Sequence, residues 1–431
     1  MIAKKKRTPQ LAVIGGGPAG LGAALAASQA GLDDIVIVER DIELGGILPQ
    51  CIHDGFGSKV FKEVLTGPQY AQRYIDEIEK TNIEVLLNTM VLGISPDRAI
   101  TAVNSREGMI RIEPETVVLA MGCRERSRHQ VFIPGYRPAG VITAGAAQRD
   151  INIEGLMPGR KIVILGSGDI GLIMARRFTL EGAHVEGVYE IMDHPGGLPR
   201  NIVQCCYDYD IPLRLSHTVT FIHGKKRVEG VTVAHVDEDL KALKDTERFI
   251  DCDTLVLSVG LIPENELSRH AGVEIDPVTA GPFVDERMET TVDGVFACGN
   301  VVNVFDLVDY VTRSSEVAGR GAAEYVLQGR KREAPVKVLP GRNVKYVVPQ
   351  FVSDLGRDVD FYFRVEHPEK AVTARVLAGT SPVKSKKHKM VHPPEMLTAS
   401  ATVADIAEAA KAEGRKIDSL MVEVVDSGKQ A

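Results

Sequence analysis

The sequence predicts an α/β chain in which one strand–turn–helix unit is built twice, and three observations carry that prediction. An apolar strand runs into the glycine-rich turn Gly15-Gly16-Gly17-Pro18-Ala19-Gly20 and then a helix. The same layout returns at Gly166-Ser167-Gly168-Asp169-Ile170-Gly171. Each copy is followed, nineteen residues after its last glycine, by a glutamate, Glu39 and Glu190. One such loop is a weak signal, whereas a pair with its own strands, helices and acids is a strong one for two Rossmann-like dinucleotide-binding domains.

In the first copy Leu11-Ala12-Val13-Ile14 is the strand and the helix begins near Pro18. Gly15 permits the tight turn, Gly17 lets a pyrophosphate approach the backbone N–H groups, and Gly20 lets the helix press on the strand. Ile35-Val36-Ile37-Val38 reads as a strand buried on both faces, and it delivers Glu39 to ribose hydroxyls. The second copy has the strand Lys161-Ile162-Val163-Ile164-Leu165, a helix over Leu172 to Glu181, and the strand His184 to Tyr189 ending at Glu190. A carboxylate there repels a 2′-phosphate, and neither Ile191 nor Met192 supplies a cation to receive one, so the second nucleotide is expected to be NAD(H).

The chain has 431 residues, 44% hydrophobic and 25% charged, which is ordinary globular material sufficient for two or three domains. A net charge of −7 argues against nucleic acid as a partner. The basic run Lys4-Lys5-Lys6-Arg7 has no apolar signal core behind it and reads as a solvated tail. No transmembrane stretch and no disulfide pattern are legible, so a cytoplasmic location is expected. Six cysteines without CxxC spacing, and no H-E-x-x-H, leave no metal or iron–sulfur site in the sequence. Cys205 and Cys206 read as two buried thiols, and Cys123, Cys252 and Cys298 as core residues.

Beyond the second copy lie Val259-Gly260-Leu261-Ile262-Pro263 and Thr291-Val292-Asp293-Gly294-Val295-Phe296-Ala297-Cys298-Gly299-Asn300. With Thr116-Val117-Val118-Leu119-Ala120-Met121-Gly122, they make the chain resemble the two-dinucleotide-domain flavoproteins of the pyridine nucleotide-disulfide oxidoreductase superfamily. That resemblance implies FAD on the first loop and NAD(H) on the second. It implies a discontinuous FAD domain (8–122 and 264–330), a crossover (123–158), an inserted NAD domain (159–263) and an α+β region at 335–431. The implied FAD contacts are Gly15, Gly17, Pro18, Ala19, Gly20, Glu39, Arg40, Gly46, Gln50, Val91, Gly122, Gly299, Asn300, Leu307 and Val308. Those of NAD are Gly166, Gly168, Asp169, Ile170, Gly171, Glu190 and Gly260.

Asn300 stands where the superfamily usually has Asp, and its amide can still accept from a ribityl hydroxyl. A helix is expected to start around Asp306-Leu307-Val308, capped by Asp306, with its positive end toward the flavin pyrimidine. After Gly45-Gly46 comes one thiol, Cys51, where the disulfide reductases place a pair, so no internal disulfide accepts the electrons. Cys51 and His53 are candidates for a thiolate beside the flavin and a proton-passing imidazole, against a reading of both as packing groups.

The C-terminal region shows alternating stretches such as Lys345-Tyr346-Val347-Val348 and Asp360 to Val365. A helix capped near Thr402 and a last strand over Leu420 to Val425 follow. It reads either as a docking surface for another subunit or as a stabilising cap, and the cluster Lys384, Lys386, Lys387, His388 and Lys389 reads as a solvated edge.

Leu44-Gly45-Gly46-Ile47-Leu48-Pro49-Gln50-Cys51-Ile52-His53-Asp54-Gly55-Phe56-Gly57, Leu65-Thr66-Gly67-Pro68 and Asp306 to Val311 narrow the resemblance further. Over about residues 8 to 395 the chain resembles the flavin subunits that accompany a glycerol-3-phosphate dehydrogenase-type flavoprotein and a small cysteine-rich redox protein. Subunits of opine oxidases and of hydrogen cyanide synthase are similar. The implied activity is hydride exchange between nicotinamide and flavin, with electrons passed to or from a partner in an oligomeric complex. A free-standing NADH oxidase or diaphorase, an amine or opine dehydrogenase subunit, and a binding or assembly component without redox role are the alternatives.

Overall fold

The protein is described from a computed structural model covering residues 6–329, 335–413 and 417–428. These fall into two compact units, one made of the described residues up to Cys123 and from Pro263 onward, the other of Arg124–Ile262.

The first unit is centred on a five-stranded parallel sheet in the order Val295–Ala297, Thr116–Leu119, Leu11–Ile14, Ile35–Val38, Glu84–Leu86. Leu11–Ile14, Ile35–Val38 and Thr116–Leu119 are buried throughout, as expected of strands covered on both faces. Helix Pro18–Gln29 packs on the long helix Val308–Gln328 through small residues. A Cβ on Gly319 would run into the Ala23 carbonyl, and one on Gly22 into the Ser315 hydroxyl, so the helix backbones lie too close for side chains there. A smaller sheet joins Lys6–Arg7, Gly108–Ile112, Ile100–Asn104 and Met90–Ile94. Lys6 and Arg7 are therefore strand rather than solvated tail, and Arg7 reaches Glu107 at 3.0 Å and Glu84 at 3.3 Å. Lys4 and Lys5 lie outside the described residues.

The C-terminal region has its own apolar core, with Phe361, Phe363, Val376 and Val422 fully enclosed. It consists of a five-stranded and a three-stranded sheet with helix Val403–Glu413. Thr402 starts that helix through a reciprocal pair: its hydroxyl accepts from Asp405 N at 3.2 Å, and the Asp405 carboxylate accepts from Thr402 N at 2.8 Å. The lysine cluster lies on the edge strand Ser381–Val391. Lys384, Lys386 and His388 stand opposite Val376, Ala374 and Val372, on the face that carries the core. Charges in that position stop another strand from adding to the edge.

This region is fastened to the rest of the first unit at several points. Tyr362 packs edge-on against Phe305, with ring centroids 5.1 Å apart. Buried Arg287 pairs with Asp354 at 3.0 Å, Ser353 N donates to Glu286 at 2.7 Å, and Gln350 donates to Asp276 at 3.0 Å.

The second unit repeats the plan. Its parallel sheet runs Val141–Thr143, Thr254–Leu257, Lys161–Leu165, His184–Tyr189, Leu213–Arg214, beside an antiparallel sheet of His217–His223, Gly230–His235 and Arg248–Ile250. In both units the strand that feeds the glycine loop is third and the strand that ends in the glutamate is fourth. The helix after the second loop starts earlier than its periodicity suggests, at Asp169 rather than Leu172, because the glycine turn leads straight into it.

Gly319→Ala should lower stability by about 1–3 kcal/mol, the usual cost of overpacking a close contact. A denaturant melt that leaves the midpoint unchanged would show that the two helices can separate without penalty.

Candidate nucleotide-binding sites

Both glycine loops are held by the same set of hydrogen bonds. Gly15 N donates to Val38 O at 2.9 Å and Gly166 N to Tyr189 O at 2.7 Å, so each loop is sewn to the end of the neighbouring strand. One carboxylate oxygen of Glu39 accepts from Gly16 N at 2.6 Å and the other from Asp41 N at 2.8 Å. Glu190 does likewise with Ser167 N at 2.8 Å and Met192 N at 3.0 Å, and takes the Ser167 hydroxyl at 2.6 Å. Both acids are buried. Each is thus fixed by backbone donors at the lip of its loop, where a carboxylate meets ribose hydroxyls.

The glycines follow the same logic. Gly15 and Gly166 have φ of +107° and +95°, a left-handed turn that side chains resist. A Cβ on Gly20 would run into the Gly15 carbonyl, and one on Gly171 would lie 2.8 Å from the Gly166 carbonyl, so each helix touches its own turn. Gly17 and Gly168 are the N-caps of helices Pro18–Gln29 and Asp169–Leu180, neither with a side-chain cap. The first-turn N–H groups of a helix lack intrahelical acceptors and carry the positive end of its dipole, which suits an anion. A Cβ on Gly17 would find its nearest neighbour, Gly46 Cα, at 3.6 Å, so the space above that helix end is open. The residues present fit a dinucleotide pyrophosphate at both loops.

At the first site further segments converge. Gly299 wedges against the loop helix, where a Cβ would lie 2.7 Å from Ala19 Cβ, and its N–H donates to Ser314 Oγ at 3.2 Å. Gly45 N donates to Gly16 O at 2.8 Å, which brings Gly46 and buried Gln50 to the same loop. Gly122 has φ of +73° and nothing within 4 Å of a built Cβ. Asn300 is turned toward its own loop, its amide oxygen accepting from Phe305 N at 3.0 Å and its NH2 facing Cys123 Sγ at 3.6 Å. Arg40 is exposed, and Val91 commits its side chain to the core from the smaller sheet.

At the second site Gly260 has φ of +99°, and its carbonyl accepts from Arg126 N at 3.0 Å. Half-buried Ile170 packs against the domain core. Asp169 points its carboxylate at Leu198 N, 2.8 Å, and Asn201 Nδ2, 2.6 Å.

Two expectations are corrected. Asp306 does not cap the long helix, whose N-cap is Leu307 with no side-chain bond; its carboxylate instead accepts from Met396 N at 3.0 Å, tying the C-terminal region to the loop before Val308. The acid at that helix end is Asp309, fully buried, which accepts from Gly57 N at 3.2 Å, Lys59 N at 2.8 Å and Val60 N at 2.7 Å. Nothing local in the sequence marks it, because its donors lie some 250 residues away. Cys123 is half-buried rather than a core residue.

Cys51 is half-buried; burial pushes its thiol up to about 12, and Sγ donates to Ile47 O at 3.4 Å. His53 lies tilted against Phe56, with ring centroids 5.2 Å apart. Cys205 and Cys206 are buried free thiols.

A twice-built parallel sheet with two such loops defines the class of two-domain dinucleotide-binding oxidoreductases. Thioredoxin reductase from T. acidophilum superposes with a TM-score of 0.59 at 21% identity, covering 74% of this chain and 98% of that one. A bacillithiol disulfide reductase from Bacillus cereus gives 0.61 at 18%, covering 75% and 100%. These likenesses concern the fold.

The chain belongs to the pyridine nucleotide-disulphide oxidoreductase family, whose sequence model matches residues 9–322 and whose members use FAD and NAD(P)H. Among curated relatives it is 28% identical to the HcnB component of the hydrogen cyanide synthase of Pseudomonas protegens, over 61% of this chain and 58% of that protein. It is 25% identical to one of the subunits of the opine oxidase of Agrobacterium tumefaciens, over 73% and 64%. An NAD(P)H sulfur oxidoreductase (CoA-dependent) of Pyrococcus abyssi is 26% identical, over 84% and 72%. The match thus spans less than two thirds of the first two relatives.

Gly17→Val should fold normally yet fill the open space over the first helix end, cutting bound FAD to about a tenth or less; flavin absorbance per folded protein measures it. A thiol held near 12 becomes thiolate only as the pH rises toward that value, so at pH 8 Cys51 should alkylate at least about tenfold more slowly than a free cysteine. Mass-spectrometric labelling of Cys51 against pH would reverse this if the rate levelled off below about pH 9.

Proposed function

We propose that this chain is an FAD-dependent NAD(H) oxidoreductase acting as the flavin subunit of a multi-component dehydrogenase of the glycerol-3-phosphate type. The duplicated loop with its bound glutamate is the observation that carries the reading, since it provides one site for each dinucleotide. FAD is assigned to Gly15, Gly17, Gly20, Glu39, Gly46, Gly299 and Asn300, and NAD(H) to Gly166, Gly168, Gly171, Glu190 and Gly260. When bound, the two cofactors supply hydride exchange between nicotinamide and flavin.

The chain's own groups act by position and charge. Glu39 and Glu190 offer carboxylates already oriented by backbone N–H donors, so little ordering remains to be done when a ribose arrives. Glu190 disfavours a 2′-phosphate by charge, hence NAD(H). The start of helix Val308–Gln328 has no side-chain cap, so its first-turn N–H groups beside Leu307 and Val308 are free to meet a flavin, while the Asp309 carboxylate in the same turn is taken up by Gly57, Lys59 and Val60 N–H donors.

Cys51 is a single cysteine in its segment, which favours an electron partner outside this chain over an internal disulfide. Two relatives, named as subunits of hydrogen cyanide synthase and opine oxidase, favour a multi-component assembly. The partners proposed are a glycerol-3-phosphate dehydrogenase-type flavoprotein and a small cysteine-rich redox protein.

Anaerobic mixing while following flavin absorbance tests the reading. NADH alone should bleach the flavin, and glycerol 3-phosphate should bleach it only when co-purified partners are present. Failure of glycerol 3-phosphate with partners would remove the complex, fast aerobic NADH turnover by the isolated chain would favour a free-standing oxidase, and a strong preference for NADPH would remove the role given to Glu190.

A further inference from the structure

The duplication extends past the two glutamates. Glu39 is followed after five residues by Gly45-Gly46 and then Ile47-Leu48-Pro49-Gln50, and Glu190 after five residues by Gly196-Gly197 and then Leu198-Pro199-Arg200. In both units this second glycine pair folds back on the middle residue of the first loop. Gly45 N donates to Gly16 O at 2.8 Å, and Gly196 N donates to Ser167 Oγ at 2.8 Å. In both units the proline then opens a helical turn, at Leu48–Gln50 and at Pro199–Cys205.

The environment of Gly196 shows which way this second turn faces. A Cβ on Gly196 would lie 3.6 Å from Ser167 Oγ, 3.7 Å from Gly168 N and 3.8 Å from the Glu190 carboxylate, all ordinary contact distances. It would therefore project over the helix N-cap and the ribose-binding acid without straining the fold. Gly197 faces the other way: its Cβ would come within 2.6 Å of Leu172 Cδ1 and 2.9 Å of Ser167 O, so its backbone is pressed onto the loop helix. Asp169 holds the turn there by accepting from Leu198 N and from Asn201 Nδ2. These bonds also engage a carboxylate that would otherwise face an anion at the helix end. Arg200, exposed, takes the place that Gln50 has in the first unit and adds positive charge to the same turn.

We infer that Gly196-Gly197-Leu198-Pro199 is a second wall of the nicotinamide-nucleotide site, apposed to the ribose and pyrophosphate, and that Asp169 and Asn201 are its positioning residues. The inference rests on the proposed NAD(H) reading of the second loop. It gives that site the two-turn construction of the first.

Calorimetric titration of the oxidised holoprotein with NAD⁺, which reads binding without turnover, tests it. Gly196→Val should weaken NAD⁺ binding at least about tenfold while FAD content and melting temperature stay at wild-type values. Asn201→Ala should raise the KM for NADH several-fold with kcat at saturation little changed, and the exchange Asp169→Asn with Asn201→Asp should restore it by re-forming the bond. Wild-type NAD⁺ affinity in Gly196→Val would overturn the second wall and leave the NAD(H) reading intact. No NAD⁺ binding by the wild-type holoprotein would overturn both.

Discussion

The hydrogen bond from a glycine-loop N–H to the glutamate at the end of the next strand is the constraint on which each nucleotide site depends. A loop of glycines has many accessible backbone states, and a single buried carboxylate selects one of them. Glu39 does this through Gly16 N at 2.6 Å and Glu190 through Ser167 N at 2.8 Å. The acid also takes the N–H two residues after itself, at Asp41 and at Met192, so the strand end, its turn and the loop become one rigid assembly. Unbonded, a buried carboxylate would be costly to keep; bonded this way, its charge is met by backbone donors.

Close backbone approach is the second constraint, and it explains where the glycines are. Gly20 against Gly15, Gly299 against Ala19 and Gly319 against Ala23 bring helix, loop and strand nearer than any side chain would permit. The long helix Val308–Gln328 can then lie along the loop helix, and the segment before it reaches the first site. The C-terminal region steadies that segment from outside. Asp306 accepts from Met396 N, while Arg364 donates to the carbonyls of Val304, Pro393 and Pro394. The C-terminal region is thus part of how the Asn300–Val308 stretch is held.

Local chemistry made much of this readable in sequence. Strands covered on both faces declare themselves as short apolar runs, so Leu11–Ile14, Ile35–Val38 and Lys161–Leu165 appear in the structure with the bounds their composition suggests. Glycine spacing with a glutamate at fixed distance marked both loops for the same reason: each glycine answers a steric demand set within a few residues. The cap at Thr402 was likewise visible, and the structure completes it with Asp405 three residues on.

Tertiary structure alone decided what depends on distant partners. Asp306 had the composition of a cap, but Met396, ninety residues on, claimed its carboxylate. Asp309 became the anchor of Gly57–Val60 because folding brought that loop to the helix end. The upward shift of the Cys51 thiol follows from burial, which removes the water its anion needs. The sequence by itself determined the two dinucleotide loops and their acids, since those rest on backbone sterics and short spacing. The fold decided the upward shift of the Cys51 thiol, the diversion of Asp306 from the helix cap to Met396 and the closure of the second turn over Gly168, because burial and long-range hydrogen bonds exist only once the chain has packed.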